Sequence, residues 1–146
     1  MATVIVLVDS RGGNTRAVAD AVAEGVGMVP KVDCTVMSAE ALDMDALAAA
    51  DALAVGSPNY YSYMSGRAKT FFDLAFRNPA FKGKPFAAFS THGGGGGVAA
   101  LIEKLSEHLG MKKVAPGLDI LNAPAGDQLK ECRRLGQALG RAATNA

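Results

Sequence analysis

The sequence predicts an α/β protein in which a parallel β-sheet is covered by helices on both faces. Three observations predict it: apolar runs alternate with helical patterns along the 146 residues, the alternation gives five strands and five helices, and each connection is long enough for a β-α-β crossover. Such crossovers keep one hand and place helices on both sides of the sheet. The prediction is therefore one doubly wound domain, spanning residues 1–146, with three layers.

The first elements are a buried strand, a helix and a second strand. Thr3–Val8 is a run of β-branched residues and one leucine, typical of a strand buried on both faces. Thr15–Met28 is rich in alanine and repeats valine at positions four apart, which predicts an amphipathic helix. Lys31–Met37 alternates apolar with polar residues, so we expect an edge or half-buried strand there.

The middle of the chain predicts two helices, with a short strand and a loop between them. Asp43–Ala50 is a short helical segment, and Ala52–Val55 is a short buried strand. Glycine, serine and proline follow that strand, so 57–66 is expected to be a polar and aromatic loop. The helix after it, Arg67–Phe76, contains three phenylalanines and a leucine.

The last part of the chain predicts two strands and two helices. Lys84–Ser90 is the fourth strand, and a glycine run separates it from Val98–Leu109, whose apolar residues share one helical face. Gly110 is expected to cap that helix. Lys112–Leu121 is predicted as a continuous fifth strand, and Ala125–Ala142 as the last helix.

Composition and charge exclude several classes of protein. The chain is 49% hydrophobic with a net charge of +1, which gives no broad electrostatic attraction to nucleic acid or to an anionic membrane. Cys34 and Cys132 lack the spacing of a zinc site or a disulfide framework, so we expect reduced, mostly buried thiols and no metal. The sequence shows no signal-peptide pattern and no run of about 20 apolar residues that could span a membrane. A cytoplasmic protein is therefore the default expectation.

The loops after strands 1, 3 and 4 are where function is expected. In an open parallel sheet, ligands bind beyond the carboxyl ends of the strands, near the switch in strand order. These loops also contain the least ordinary segments of the chain: a serine- and glycine-containing turn, all three tyrosines, and a run of five glycines. The coincidence favours a ligand site at this edge of the sheet.

The first loop, Ser10–Thr15, is predicted to bind a phosphate group. Its two glycines allow successive N–H groups to point at one spot, and the N-terminus of the next helix adds partial positive charge. The two hydroxyls, the Asn14 amide and the Arg11 guanidinium are further donors. The alternative is an ordinary turn in which Asn14 or Thr15 caps the helix. The loop lacks the lysine of a P-loop and the third glycine of a dinucleotide motif.

The second and third loops suit the planar part of a ligand. The tyrosines of Gly56–Gly66 have flat apolar faces and polar tips that fit a ring system, although such a loop could instead hold itself to the domain with its aromatics. The glycines of Ser90–Gly97 cost backbone entropy, which close approach of a ligand would explain; a flexible hinge is the alternative. His92 is a candidate ligand contact, with an exposed loop histidine as the alternative.

Together, the three loops resemble those of flavodoxin-like FMN proteins. Ser10–Thr15 resembles the S-x-T-G-N-T phosphate loop of that family. Gly56–Gly66, continued by Lys69 and Asp73, resembles the G-S-P-T-Y-x-G-x-M-S-G…K-x-F-x-D stretch of the flavodoxin and NAD(P)H:quinone reductase branch. Ala88–Gly94 resembles the third flavin loop. The resemblance covers the whole chain in order, and the absence of a long insertion in the fifth strand resembles the short-chain form.

The resemblance implies a flavodoxin-like fold with strand order 2-1-3-4-5, FMN as the cofactor, and a site built from all three loops. It places the first loop on the phosphate, the second along one side of the isoalloxazine with Tyr60 or Tyr61 stacked on it, and the third along the other side. The cofactor-binding residues that it implies are Ser10, Arg11, Gly12, Gly13, Asn14, Thr15, Ser57, Pro58, Asn59, Tyr60, Tyr61, Ser62, Thr91, His92, Gly93, Gly94 and Gly95.

The chain departs from the family pattern in several respects, of which two bear on phosphate binding and on docking. Gly12 stands where the family usually has Thr or Ser, so we expect Arg11 or backbone N–H groups to carry more of the phosphate contact. The near-neutral charge differs from the acidic balance common in flavodoxins, which leaves docking to a basic reductase open. The predicted function is an FMN-binding electron carrier, a monomer or small homo-oligomer, that exchanges electrons with a reductase or acceptor protein.

Three other functions compete with the electron carrier. An FMN-dependent NAD(P)H:quinone oxidoreductase, as an oligomer, fits the second loop, but the short chain has no extension to build a second substrate pocket. A receiver domain on the same architecture needs metal-binding acids, and only Asp9 follows the first strand. A flavin-free scaffold protein remains open, because fold does not fix function.

Overall fold

The computed structural model describes residues 1–145, which form one seven-stranded sheet with five α-helices. The strands are β1 (Ala2–Val8), β2 (Val32–Ser38), β3 (Ala52–Tyr60), β4 (Tyr63–Met64), β5 (Pro85–His92), β6 (Lys112–Lys113) and β7 (Leu118–Leu121). The helices are α1 (Asn14–Gly27), α2 (Met44–Ala49), α3 (Gly66–Ala75), α4 (Val98–His108) and α5 (Asp127–Thr144), with a 3₁₀ turn at Pro79–Phe81.

The strand order confirms the predicted doubly wound topology. The main path is β2-β1-β3-β5-β6 with all neighbours parallel, and β7 also pairs with β5. Since β5 is the predicted fourth strand and β6 with β7 the predicted fifth, this is the order 2-1-3-4-5. The order reverses between β1 and β3, which brings the loops after these strands to one edge.

The predicted fifth strand is not continuous. Between the pairs Phe86–Lys113 and Phe89–Leu118, two residues of β5 face four residues, 114–117, of the partner segment. That segment contains Pro116, which has no N–H to donate, and the Gly117 N–H turns away to the Glu103 carboxylate at 3.1 Å. The extra residues therefore form a bulge that divides the strand in two.

The predicted loop 57–66 is largely a β-hairpin. Strand β3 continues through Pro58 to Tyr60 and then pairs antiparallel with β4. Tyr61 and Ser62 form the two-residue turn, with φ of 55° and 65°. Positive φ at both central residues is the geometry of a type I′ turn, which follows the twist of the strands. Gly56 and Pro58, which predicted that the strand ends at Val55, both lie within β3.

The two faces of the sheet carry separate parts of the core. On one face, Val4, Val6 and Val8 of β1 pack with α1 and α5, and on the other, Ile5 and Leu7 pack with α2, α3 and α4. This alternation is the period of a strand buried on both faces. Both cysteines are free, as predicted, and burial raises the pKa of each thiol to about 11. No helix within residues 1–145 is long and apolar enough to span a bilayer.

Candidate functional site

A cleft of about 210 Å³ opens where β1, β3, β5 and β7 end. All three predicted loops contribute to it, together with one residue after β7. Its lining residues are Arg11, Gly12, Asn14, Thr15, Pro58, Asn59, Tyr60, Thr91, His92, Gly93 and Asn122. The topological rule for open parallel sheets therefore located the cleft correctly.

The first loop is organised by the hydroxyl of Ser10. Its Oγ accepts the N–H groups of Gly13 and Arg16, each at 3.2 Å. Gly13 is the N-cap residue of α1, with φ of 91°, a conformation that favours glycine. No side chain of Asn14 or Thr15 caps the helix, so the capping alternative is wrong; in the first turn, Ser10 accepts the N–H of Arg16.

Several amide donors of this loop face no acceptor. Within the part of the chain that the structure describes, the N–H groups of Arg11, Gly12, Asn14 and Thr15 make no hydrogen bond. Asn14 and Thr15 also begin a 14-residue helix, whose dipole leaves partial positive charge at this end. The donor set has the chemistry that an anionic group such as phosphate requires.

A buried pair of hydroxyls ties the first loop to the third. Thr15 Oγ1 lies 2.7 Å from Thr91 Oγ1, and either can be the donor. Both side chains are at least 95% buried. The sequence predicted the Thr15 hydroxyl as a donor to phosphate, and the structure places it against Thr91 at the base of the cleft.

The hairpin places Tyr60 in the cleft and Tyr61 outside it. Tyr60 is half-buried and lines the cleft, whereas Tyr61, at the turn, is fully exposed. Asn59 joins two loops: its Nδ2 donates to the carbonyl of Gly95, and its Oδ1 accepts the Ser62 N–H at 2.9 Å. The hairpin is therefore connected to the glycine loop on one side of the cleft.

Arg11 approaches the same hairpin from the opposite side. Its Cζ lies 5.4 Å from the centroid of the Tyr60 ring, within the range of a cation–π contact. The guanidinium of Arg11 places a positive charge among the residues that line the cleft. This contact joins the first loop to the second, the Asn59–Gly95 bond joins the second to the third, and the Thr15–Thr91 pair joins the first to the third.

The glycine loop offers unobstructed backbone to the cleft. A Cβ added at Gly93, Gly94 or Gly95 would meet no atom within 4 Å, and none of the three has positive φ. Neither backbone conformation nor contact inside the protein therefore requires glycine at these positions. His92 Nδ1 accepts the Gly94 N–H at 3.2 Å, which orients the imidazole at the cleft wall. The loop therefore leaves space for a ligand to lie against its main chain.

Not every predicted site residue lines the cleft. Ten of the predicted residues do, and the others lie in its support or beyond it: Ser10, Gly13, Ser57, Tyr61, Ser62, Gly94 and Gly95. Ser57 is fully buried, where its Oγ accepts the Ser65 N–H at 2.8 Å and donates to the Pro58 carbonyl. It therefore fastens the hairpin to the start of α3.

Sequence reasoning missed Asn122. It follows β7, has φ of 57°, and its N–H donates to the His92 carbonyl at 2.8 Å. A polar residue at the end of the fifth strand, followed by a proline and glycine turn, was the available signal.

A buried carboxylate next to the first loop is paired with an arginine but accepts no hydrogen bond among the described residues. Asp9, directly after β1, is buried, and neither carboxylate oxygen has a hydrogen-bond partner among residues 1–145. The guanidinium of Arg67 lies 3.8 Å away and bonds the exposed Glu40 at 3.1 Å. No three His, Cys, Asp or Glu side chains in the same range are placed to hold a metal ion.

Comparisons with known proteins agree on one class. Residues 29–123 match the model of a family described as NADPH-dependent FMN reductase. A flavodoxin of Aquifex aeolicus (strain VF5) is 32% identical over 158 residues, covering 95% of this chain and 85% of that protein.

The solved structures give the same result. A flavodoxin from the domain Archaea superposes with a TM-score of 0.89 at 35% identity, covering 97% of this chain and 99% of its own. Oxidised flavodoxin 2 from Bacillus cereus shares the fold, with a TM-score of 0.85 at 21% identity over 96% of this chain and 99% of that chain.

Proposed function

We propose a site for the cofactor and a role for each loop from the premise that this chain belongs to the flavodoxin-like family of FMN proteins and is an FMN-binding electron-transfer protein. The whole chain is proposed to act as one FMN-binding domain in the cytoplasm. FMN supplies the redox chemistry, accepting and passing on one or two electrons, while the protein binds it and tunes its exposure. The residues in the cleft fit this cofactor at both of its ends.

The phosphate end is proposed to lie at the first loop. The observation that carries the proposal is the group of four N–H donors without acceptors at Arg11, Gly12, Asn14 and Thr15. They open onto the cleft that also contains Tyr60. A dianionic phosphate satisfies these donors and the dipole of α1 together, without a lysine.

The ring end is proposed to lie between Tyr60 and the glycine loop. Tyr60 is the stacking residue because its ring lines the cleft, whereas Tyr61 is turned outward. On the opposite side, Gly93 presents backbone without a side chain, so one ring face is covered by main chain. His92 and Asn122 contribute polar groups at the wall between them.

The partners are proposed to be a reductase and an acceptor protein that dock at the cleft. The described residues that line it include Arg11 and neither aspartate nor glutamate, so the opening is not acidic. We therefore expect docking to depend less on attraction to a basic partner than the overall acidity of many flavodoxins implies.

The decisive experiment is identification of the bound flavin. We expect the purified protein to be yellow, with flavin absorption bands, and to release FMN that is identified by mass. Stripped protein should take up FMN with quenching of its fluorescence. A colourless protein that fails to bind added FMN would contradict the proposal.

A second function follows from the family model. Its description, NADPH-dependent FMN reductase, favours direct use of a nicotinamide. Steady-state NADPH consumption with benzoquinone as acceptor tests this. Turnover without an added reductase would assign the enzyme, and its absence, with FMN bound and reducible by dithionite, would assign the electron carrier.

A further inference from the structure

We infer that the side chain of Arg11 acts on the ring end of the cofactor, as a positioning group that holds Tyr60, and does not bind the phosphate. The inference rests on the proposed cofactor site and on the contact between the two side chains, with Arg11 Cζ 5.4 Å from the Tyr60 centroid. A guanidinium within about 6 Å of an aromatic centroid is attracted by the negative face of the ring. The side chain of Arg11 thus extends from the first loop to the hairpin.

The phosphate end has donors without this guanidinium. The N–H groups of Gly12, Asn14 and Thr15 have no acceptor in the described part of the chain, and they stand at the N-terminus of α1. Backbone donors and a helix dipole suffice to bind an anion. The loop therefore has a complete anion site even when Arg11 is engaged elsewhere.

Tyr60, by contrast, stands on an element that needs support. The hairpin contains only two residue pairs, Asn59–Met64 and Tyr60–Tyr63, and its turn is exposed. So short a hairpin is marginal by itself. Asn59 anchors it to the glycine loop through the Gly95 carbonyl, and Arg11 contacts it from the first loop. The two contacts connect the hairpin that carries Tyr60 to the third loop and to the first loop.

The two possible roles of the Arg11 side chain predict different effects on the affinity for riboflavin, which has the same ring system as FMN but no phosphate. A side chain that holds Tyr60 strengthens the binding of both flavins by the same factor. A side chain that bonds phosphate strengthens FMN binding alone. A cation–π contact at an exposed site corresponds to a loss of about two- to fivefold in affinity when it is removed.

The test is a fluorescence titration of the full-length protein, stripped of flavin, with FMN and with riboflavin. We expect Arg11→Ala to weaken both by the same two- to fivefold factor. Arg16→Ala is the matched control: it removes the same charge from the adjoining turn, where Arg16 pairs with Asp20 at 3.0 Å. We expect it to leave the riboflavin affinity unchanged.

Substitutions of Tyr60 complete the test. In a Tyr60→Phe background the ring remains, so Arg11→Ala should still weaken riboflavin binding, whereas in Tyr60→Leu it should not. Loss of FMN affinity alone in Arg11→Ala would overturn the inference and place the guanidinium on the phosphate. Unchanged affinity for both flavins would overturn it as well. If wild type binds riboflavin but not FMN, the phosphate site fails while the inference stands; if it binds neither, both fail.

Discussion

The hydroxyls of Thr15 and Thr91 lie 2.7 Å apart in the interior, although 76 positions separate them in the chain. Thr15 is the second residue of α1, after the first loop, and Thr91 lies near the end of β5, so their hydrogen bond joins two walls of the cleft. Because both side chains are buried, each hydroxyl depends on the other for its hydrogen bond.

We expect Thr15→Val to destabilise the fold by about 1–3 kcal/mol, because valine keeps the shape and leaves the Thr91 hydroxyl buried without a partner. Thr91→Val should cost a similar amount. The double variant should cost clearly less than the sum, since no unpaired hydroxyl then remains. Urea unfolding of the wild type, the two single variants and the double variant measures these free energies. Strictly additive losses of unfolding free energy would show that the hydroxyls do not interact.

Gly12→Thr is expected to tighten FMN binding. A Cβ at Gly12 meets no atom within 4 Å and its φ is not positive, so a side chain fits. Threonine adds a hydroxyl beside the proposed phosphate position, for a gain of ~1 kcal/mol, or about fivefold in Kd. Titrations with FMN and riboflavin check it, because riboflavin affinity should stay unchanged. Equal tightening of both ligands would place the hydroxyl elsewhere than at the phosphate.

Gly93→Ala is expected to weaken flavin binding without loss of stability. Its Cβ would stand in open space at the cleft wall, where the proposed ring lies against backbone. A methyl group there should reduce FMN affinity by about tenfold or more, as clashes of ~1–3 kcal/mol do in packed sites. Gly66→Ala, at another unobstructed glycine outside the cleft lining, is the control and should bind FMN normally. Full affinity in Gly93→Ala would mean that no ring approaches this residue.

Gly136→Ala should destabilise the protein strongly. A Cβ at this position of α5 would overlap the carbonyl of Val22, so the close approach of α1 and α5 depends on its absence. Forcing the helices apart should cost about 1–3 kcal/mol or more in unfolding free energy. Gly27→Ala, at the end of α1 with no atom within 4 Å of its Cβ, provides the comparison and should be neutral or slightly stabilising. A neutral Gly136→Ala would show that the helices separate at little cost.

Because Lys84 is buried, we expect its contribution to the unfolding free energy to rise at alkaline pH. Burial lowers the pKa of its ammonium, whose Nζ donates to the carbonyls of Ala48, at 3.0 Å, and Ala50. The folded state therefore releases this proton before the unfolded state does. The contribution of Lys84 to the unfolding free energy should increase as pH rises from the lowered folded-state pKa to about 10.4.

The Lys84→Met variant isolates this effect. Chemical unfolding at several pH values between about 8 and 10.4 should give a more positive slope for wild type than for the variant. A parallel pair of curves would show that Lys84 does not titrate differently in the two states. The variant should also be less stable at neutral pH, since it leaves buried carbonyls without their donor.

The elements that sequence predicted correctly are those whose signal is local. The valine repeat of α1 and the continuous apolar run of β1 each lie within one segment, and both elements were found to within a residue at either end. The prediction of a loop at 57–66 is wrong, because a proline such as Pro58 ends most strands, yet here β3 continues with β5 and then with β4 as partners. Pairing with a neighbour overrode the local propensity.

The sequence by itself determined the layers of the fold, the edge of the sheet where the cleft opens, and the three loops that line it. Tertiary structure alone decided that Ser10 accepts an N–H of the first turn of α1, that Tyr60 rather than Tyr61 enters the cleft, that Asn122 joins the lining, and that Arg11 reaches Tyr60. The physical reason is the distance along the chain over which each kind of interaction acts. Periodicity and turn chemistry act within a segment, whereas a contact between side chains about 50 residues apart depends on how the strands pack and where their ends meet.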